Sequence, residues 1–138
     1  MFGWLRSTVR HPLFPRLPVT RAAEALGRHA ALAGSFADLA RAARQGARAD
    51  CAVFVLIDEG VPLPDEAQHE QLWQWFEVPS YVLVVNGKGK VTAYECEARD
   101  GLHLVQGGRN ALDGGAAECP CGRPGLKVAH VGQALVGL

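Results

Sequence analysis

Four side chains in the second half of the chain have the types and spacing of a metal site. Cys96, His103, Cys119 and Cys121 read as C-x6-H-x15-C-x-C, three thiolates and an imidazole, which is the donor set a structural Zn²⁺ takes in a tetrahedron. Cys96 falls at the end of a strand pattern and His103 just beyond the following turn, so the Cys119-Pro120-Cys121-Gly122 knuckle would fold over both. Metal binding would then contribute folding energy to a glycine-rich loop with little core of its own. Cys119 and Cys121 also support a redox reading, because a disulfide across one proline closes a small, strained and easily reduced ring. Arg123 would favour the thiolate that such chemistry needs. A third reading makes Cys96 a small buried hydrophobe and leaves the loop thiols idle.

Elsewhere the chemistry-bearing residues stand apart. Gln106-Gly107-Gly108-Arg109 lacks the lysine and hydroxyl of a phosphate loop. Asp58 and Glu59 follow a buried strand, where open α/β sheets place ligand-binding groups. Glu95 and Glu97 share one strand face and could pair as acid and base. Trp75 falls off the apolar stripe of its helix and is the aromatic candidate for an interaction surface. Arg41, Arg44 and Arg48, with Arg21 and Arg28, form a basic face for an acidic partner. His11, His29, His69 and His130 have no spaced partners, and no Ser/His/Asp order stands out.

The elements that must position these groups follow from the hydrophobic pattern. Pro12, Pro15 and Pro18 keep residues 11–19 extended. From Thr20 onward, alanines and leucines recur at a helical period as far as Ala43, interrupted at Gly34. Ser35 with Asp38 predicts a capped restart, and Gly46 a stop. Cys51 to Ile57 is apolar throughout, the mark of a strand buried on both faces. Asp65 and Glu66 open a helix that runs to Phe76, with Leu72, Trp73 and Phe76 on one face. Strands at 81–85 and 90–98 flank the hairpin turn Asn86-Gly87-Lys88-Gly89. A short strand is expected at 102–105, a loop at 106–125 and an edge strand at 126–131. The expected fold is α/β: a small mixed sheet, a parallel pair plus an antiparallel hairpin, covered by N-terminal and central helices, with a loop-rich C-terminal segment. Residues 1–19 are expected as an extended arm and 20–138 as one domain.

Two family resemblances fall on this stretch. Val55-Leu56-Ile57-Asp58, a helix, then Val78-Pro79-Ser80-Tyr81 entering a hairpin resembles the thioredoxin-like fold over about residues 52–98, without its Cys-x-x-Cys motif. That resemblance implies a cis Pro79. Pro79-Ser80 followed by Glu95-Cys96-Glu97 is similar to the metal-binding core of restriction-nuclease-like domains. Serine replaces its aspartate and glutamate its lysine, which implies a degenerate domain without cleavage activity.

Composition sets the outer bounds. The 138 residues are 49% hydrophobic and 20% charged, enough for a real core, and 14 basic side chains balance 14 acidic ones. Zero net charge argues against a uniformly basic nucleic-acid-binding surface. Charge is nevertheless segregated: residues 1–50 hold eight Arg and three acids, whereas residues 51–80 hold six acids and no Lys or Arg. The longest apolar run is seven residues, against the roughly 20 that a spanning helix needs. The first 23 residues are Arg-rich without an apolar segment, so a secretory leader is not expected. Eleven Arg against three Lys suit a bacterial coding bias, and a cytoplasmic location follows as an expectation. The combined expectation is a small non-catalytic binding or accessory module, acting on another protein or on copies of itself, with zinc as the one cofactor implied. The alternatives are a thiol-disulfide oxidoreductase using Cys119 and Cys121, and the degenerate nuclease-like domain.

Overall fold

The structure, a computed structural model, describes residues 11–96, 102–104 and 127–128. Strands β1 (Thr20–Arg21), β2 (Arg28–Gly34), β3 (Arg48–Asp58), β4 (Ser80–Val85), β5 (Val91–Tyr94), β6 (Leu102–Leu104) and β7 (Lys127–Val128) form one mixed sheet. Their spatial order is their chain order. β1 to β4 run parallel and β4 to β7 antiparallel. Helix α1 (Phe36–Arg44) links β2 to β3, and α2 (Glu66–Phe76) links β3 to β4. The parallel pair, central helix and hairpin expected from sequence are all present.

Residues 20–34 correct the sequence reading. The alanine spacing predicts a helix there, but the chain forms β1, a 3-10 turn at Ala22–Glu24, and β2. Gly27, at φ +77°, makes the turn between them in a conformation that side chains rarely adopt. β2 is a strand because it lies inside the fold: Leu32 joins the helix-side core, while Ala31 and Ala33 join the opposite face. Gly34 is a close-approach site. A Cβ there would sit 3.0 Å from Ala22 Cβ, so the missing side chain lets the 3-10 turn pack against β2.

Both helices start where their caps predict. Ser35 Oγ accepts the Asp38 N–H at 3.1 Å. At α2, Asp65 Oδ1 accepts the Gln68 N–H and Gln68 Oε1 accepts the Asp65 N–H, a reciprocal capping box. Glu77 ends α2 in the left-handed region, φ 59°, and its N–H reaches the Trp73 carbonyl.

β3 alternates between two cores. Val53 and Val55 meet Leu39 and Ala42 of α1 and Leu72 and Phe76 of α2. Phe54 and Leu56 face the other way, with Tyr81, Leu83 and Val85, beneath Phe14, Leu17 and Val19 of the N-terminal arm, which is not extended as its prolines suggest but turns twice, with Phe14 N–H donating to the His11 carbonyl and Leu17 N–H to the Phe14 carbonyl. The arm therefore covers the face that the helices leave bare. A third cluster, Val82, Val84, Ala93 and Leu102, lies with Leu63 beyond the helices. No cis peptide bond occurs among the described residues, so Pro79 is trans and not cis as the thioredoxin-like resemblance implies. No helix of the described residues is long and apolar enough to cross a membrane.

Candidate functional site

Helix α2 directs one flank past β4, toward β5. Glu66, His69, Glu70 and Trp73 recur there at i, i+3, i+4 and i+7, the spacing that stacks side chains along one stripe. With Leu63 and Pro64 at the helix entrance and Glu95 after β5, they line a cleft of about 550 Å³. Among the described residues that line it, none is Lys or Arg. Trp73 is 49% exposed, the one aromatic among the exposed large hydrophobics of the described residues.

The floor of the cleft is built by hydrogen bonds. Glu95 is buried, 7% exposed. Its Oε1 accepts the Val82 N–H at 3.1 Å, and its own N–H donates to the Val82 carbonyl at 2.9 Å. On the other side of the sheet the Glu95 carbonyl lies 2.7 Å from His11 Nε2. His11 Nδ1 accepts the Leu13 N–H at 3.0 Å, which leaves Nε2 as the protonated, donating nitrogen. The rings of Phe14, Phe54, Tyr81 and Tyr94 surround that imidazole at centroid distances of 4.9–5.5 Å. Beneath α2, His69 Nδ1 lies 2.7 Å from Ser80 Oγ. Ser80 is buried, so this bond ties the first turns of α2 to β4 and does not present a nucleophile to the cleft. Ser80 and Glu95 both face the α2 side of the hairpin.

No protein-family model matches the chain, and no curated protein matches it significantly. The geometry alone therefore carries the functional argument.

Of the four sequence-derived metal ligands, Cys96 and His103 fall among the described residues, and Cys119 and Cys121 lie outside them. Cys96 is buried just past β5. His103 is buried on β6, in register with Tyr94 and stacked on its ring at 5.2 Å. Among the described residues no three His, Cys, Asp or Glu side chains group to hold a metal ion. Glu97, Gln106, Arg109, Arg123 and His130 also lie outside the described residues.

The interaction candidates divide. Trp75 is corrected: it packs on Phe36 of α1 at 5.5 Å and belongs to the edge of the helix-side core. Trp73, which the helical wheel placed inside, takes the exposed position instead. A single-helix wheel misses this because α1 defines the second buried side of α2. Arg41, Arg44 and Arg48 are exposed, with Arg41 Nη1 3.2 Å from Asp38 Oδ1. A second cleft, of about 410 Å³, lies at the start of β3 between Arg28, Arg48 and Asp50 and the end of α2. There Asp50 holds the Arg28 guanidinium above its usual pKa, first through a 2.6 Å hydrogen bond and then through its charge. The pair is exposed, so it orders that rim more than it stabilises the fold.

Sequence reasoning missed His11, His69 and Trp73. The stripe Glu66, His69/Glu70, Trp73 was the available signal, a polar and aromatic row one helical step from the buried one.

Proposed function

We propose that this chain is a non-catalytic binding module that seats a segment of a partner protein in the cleft between α2 and β5. The observation that supports the reading best is Trp73, a half-exposed tryptophan beside a cleft with a hydrogen-bonded floor. Monomeric surfaces seldom leave a tryptophan in that setting, and tryptophan is enriched where binding energy concentrates. A photo-crosslinking residue placed at position 73 tests the reading in cells, with the same residue at exposed position 45, just past α1, as control. A discrete adduct at 73 and none at 45 is the expected result. Adducts at neither position, or equally at both, would count against the cleft.

The structural zinc on Cys96, His103, Cys119 and Cys121 is a separate proposal about how the C-terminal segment is held. It is independent of the cleft and has its own test below.

A further inference from the structure

We infer that Asn86 is a self-modification site, where the Gly87 backbone nitrogen displaces ammonia from the Asn86 side chain and the β4–β5 turn promotes the step. The turn holds the two reacting groups differently. Asn86 Oδ1 accepts two backbone N–H groups, from Lys88 at 2.8 Å and from Lys90 at 3.1 Å. The Asn86 N–H donates to the Lys90 carbonyl and the Asn86 carbonyl accepts the Gly89 N–H, each at 2.9 Å. Gly87 is exposed, and its N–H makes no hydrogen bond among the described residues. When that nitrogen adds to Asn86 Cγ, negative charge grows on Oδ1, where two N–H dipoles already point, as in an oxyanion hole. The Oδ1 bond to the Lys88 N–H is an Asx turn, which closes a ring containing both Cγ and the Gly87 nitrogen. Glycine brings no side chain to hinder the approach.

The chemistry needs only water. Gly87 N gives its proton to water or hydroxide and bonds to Asn86 Cγ, the Cγ–Nδ2 bond breaks, and Nδ2 takes a proton from water and leaves as ammonia. Water then opens the cyclic imide. Cleavage at Cγ gives aspartate, and cleavage at the backbone carbonyl carbon gives isoaspartate, whose main chain is lengthened by a methylene. Either product sets a new carboxylate beside the exposed Lys88 and Lys90. Isoaspartate also lengthens a hairpin whose register already shifts between Val84 and Val85.

The test incubates the full chain, its Gly87→Ala variant and a peptide spanning residues 84–91 side by side in mildly alkaline buffer. Conversion of Asn86 is followed by peptide mass and by chromatographic separation of aspartate from isoaspartate. Gly87→Ala should fold as the parent does, because Gly87 lies outside the left-handed region and a Cβ built there meets nothing within 4 Å. The parent is expected to convert severalfold faster than the peptide, which lacks the folded hairpin that aims the Lys90 N–H at Oδ1. Isoaspartate should be among its products, and Gly87→Ala should keep Asn86 intact over the same period. Conversion in the full chain equal to or slower than in the peptide would overturn the assistance, since the turn would then protect Asn86. Aspartate without isoaspartate, or Gly87→Ala converting as fast as the parent, would assign the change to direct hydrolysis by water and overturn attack by the Gly87 nitrogen.

Discussion

Replacing His11 by phenylalanine isolates how the arm is held. His11 is fully buried, and its two ring nitrogens bond the Glu95 carbonyl at 2.7 Å and the Leu13 N–H at 3.0 Å. Phenylalanine keeps a ring of similar size among Phe14, Phe54, Tyr81 and Tyr94, so little cavity forms. What changes is the polar pairing. The Glu95 carbonyl loses a donor at a buried position, at a cost of about 1–3 kcal/mol. Leu13 is half-buried, so its N–H regains water and adds roughly 0.5–1 kcal/mol. The His11→Phe variant should therefore be about 1.5–4 kcal/mol less stable in urea unfolding. Arg16 on the arm is exposed and followed by Leu17, so trypsin should also cut after it markedly faster in native buffer. A variant within about 0.5 kcal/mol of the parent, with unchanged cleavage at Arg16, would refute the clasp.

Three further outcomes follow from the packing and the cysteine spacing. Trp75→Ala should cost about 2–3 kcal/mol in urea unfolding, because it strips the half-buried contact with Phe36, while Trp73→Ala should stay within about 0.5 kcal/mol; the reverse order would reinstate the helical-wheel assignment. Gly34→Ala should lose about 1–3 kcal/mol, seen as a lowered thermal midpoint, since its new methyl meets Ala22 Cβ at 3.0 Å. Elemental analysis of natively purified protein should find one zinc per chain, lost in Cys119→Ser; zinc-free protein with four reduced thiols would remove that site, and zinc-free protein that reduces insulin disulfides would favour the redox pair.

The sequence announces the second half of the described fold better than the first. Cys51–Ile57, the Asp65 cap and the Asn86-Gly87 turn are each local signals with one structural solution, and β3, α2 and the β4–β5 hairpin form there. Alanine is less decisive. Its small side chain suits a helix face and an interior strand alike, so residues 22–33 look helical until the layers on either side of β2 are known. Ala31 and Ala33 fit because the arm lies on that face, and the arm contributes nothing periodic. The site was harder to read for the same reason. His11 acquires its role from the Glu95 carbonyl, 84 positions away, and no spacing rule links the two. Trp73 and Trp75 exchange places because the neighbour that buries Trp75 is a second helix.

The strand order has a consequence for biosynthesis. Since each described strand lies beside the one made just before it, the sheet can extend at its growing edge as the chain leaves the ribosome, with no described strand slotting between two earlier ones. Short closures of this kind are kinetically cheap. The arm breaks the pattern. It is synthesised before every strand, yet its clasp cannot close until Glu95 has emerged. Phe54 and Tyr81 thus spend part of translation without their cover, and the nascent chain is most prone to misassociation in that interval.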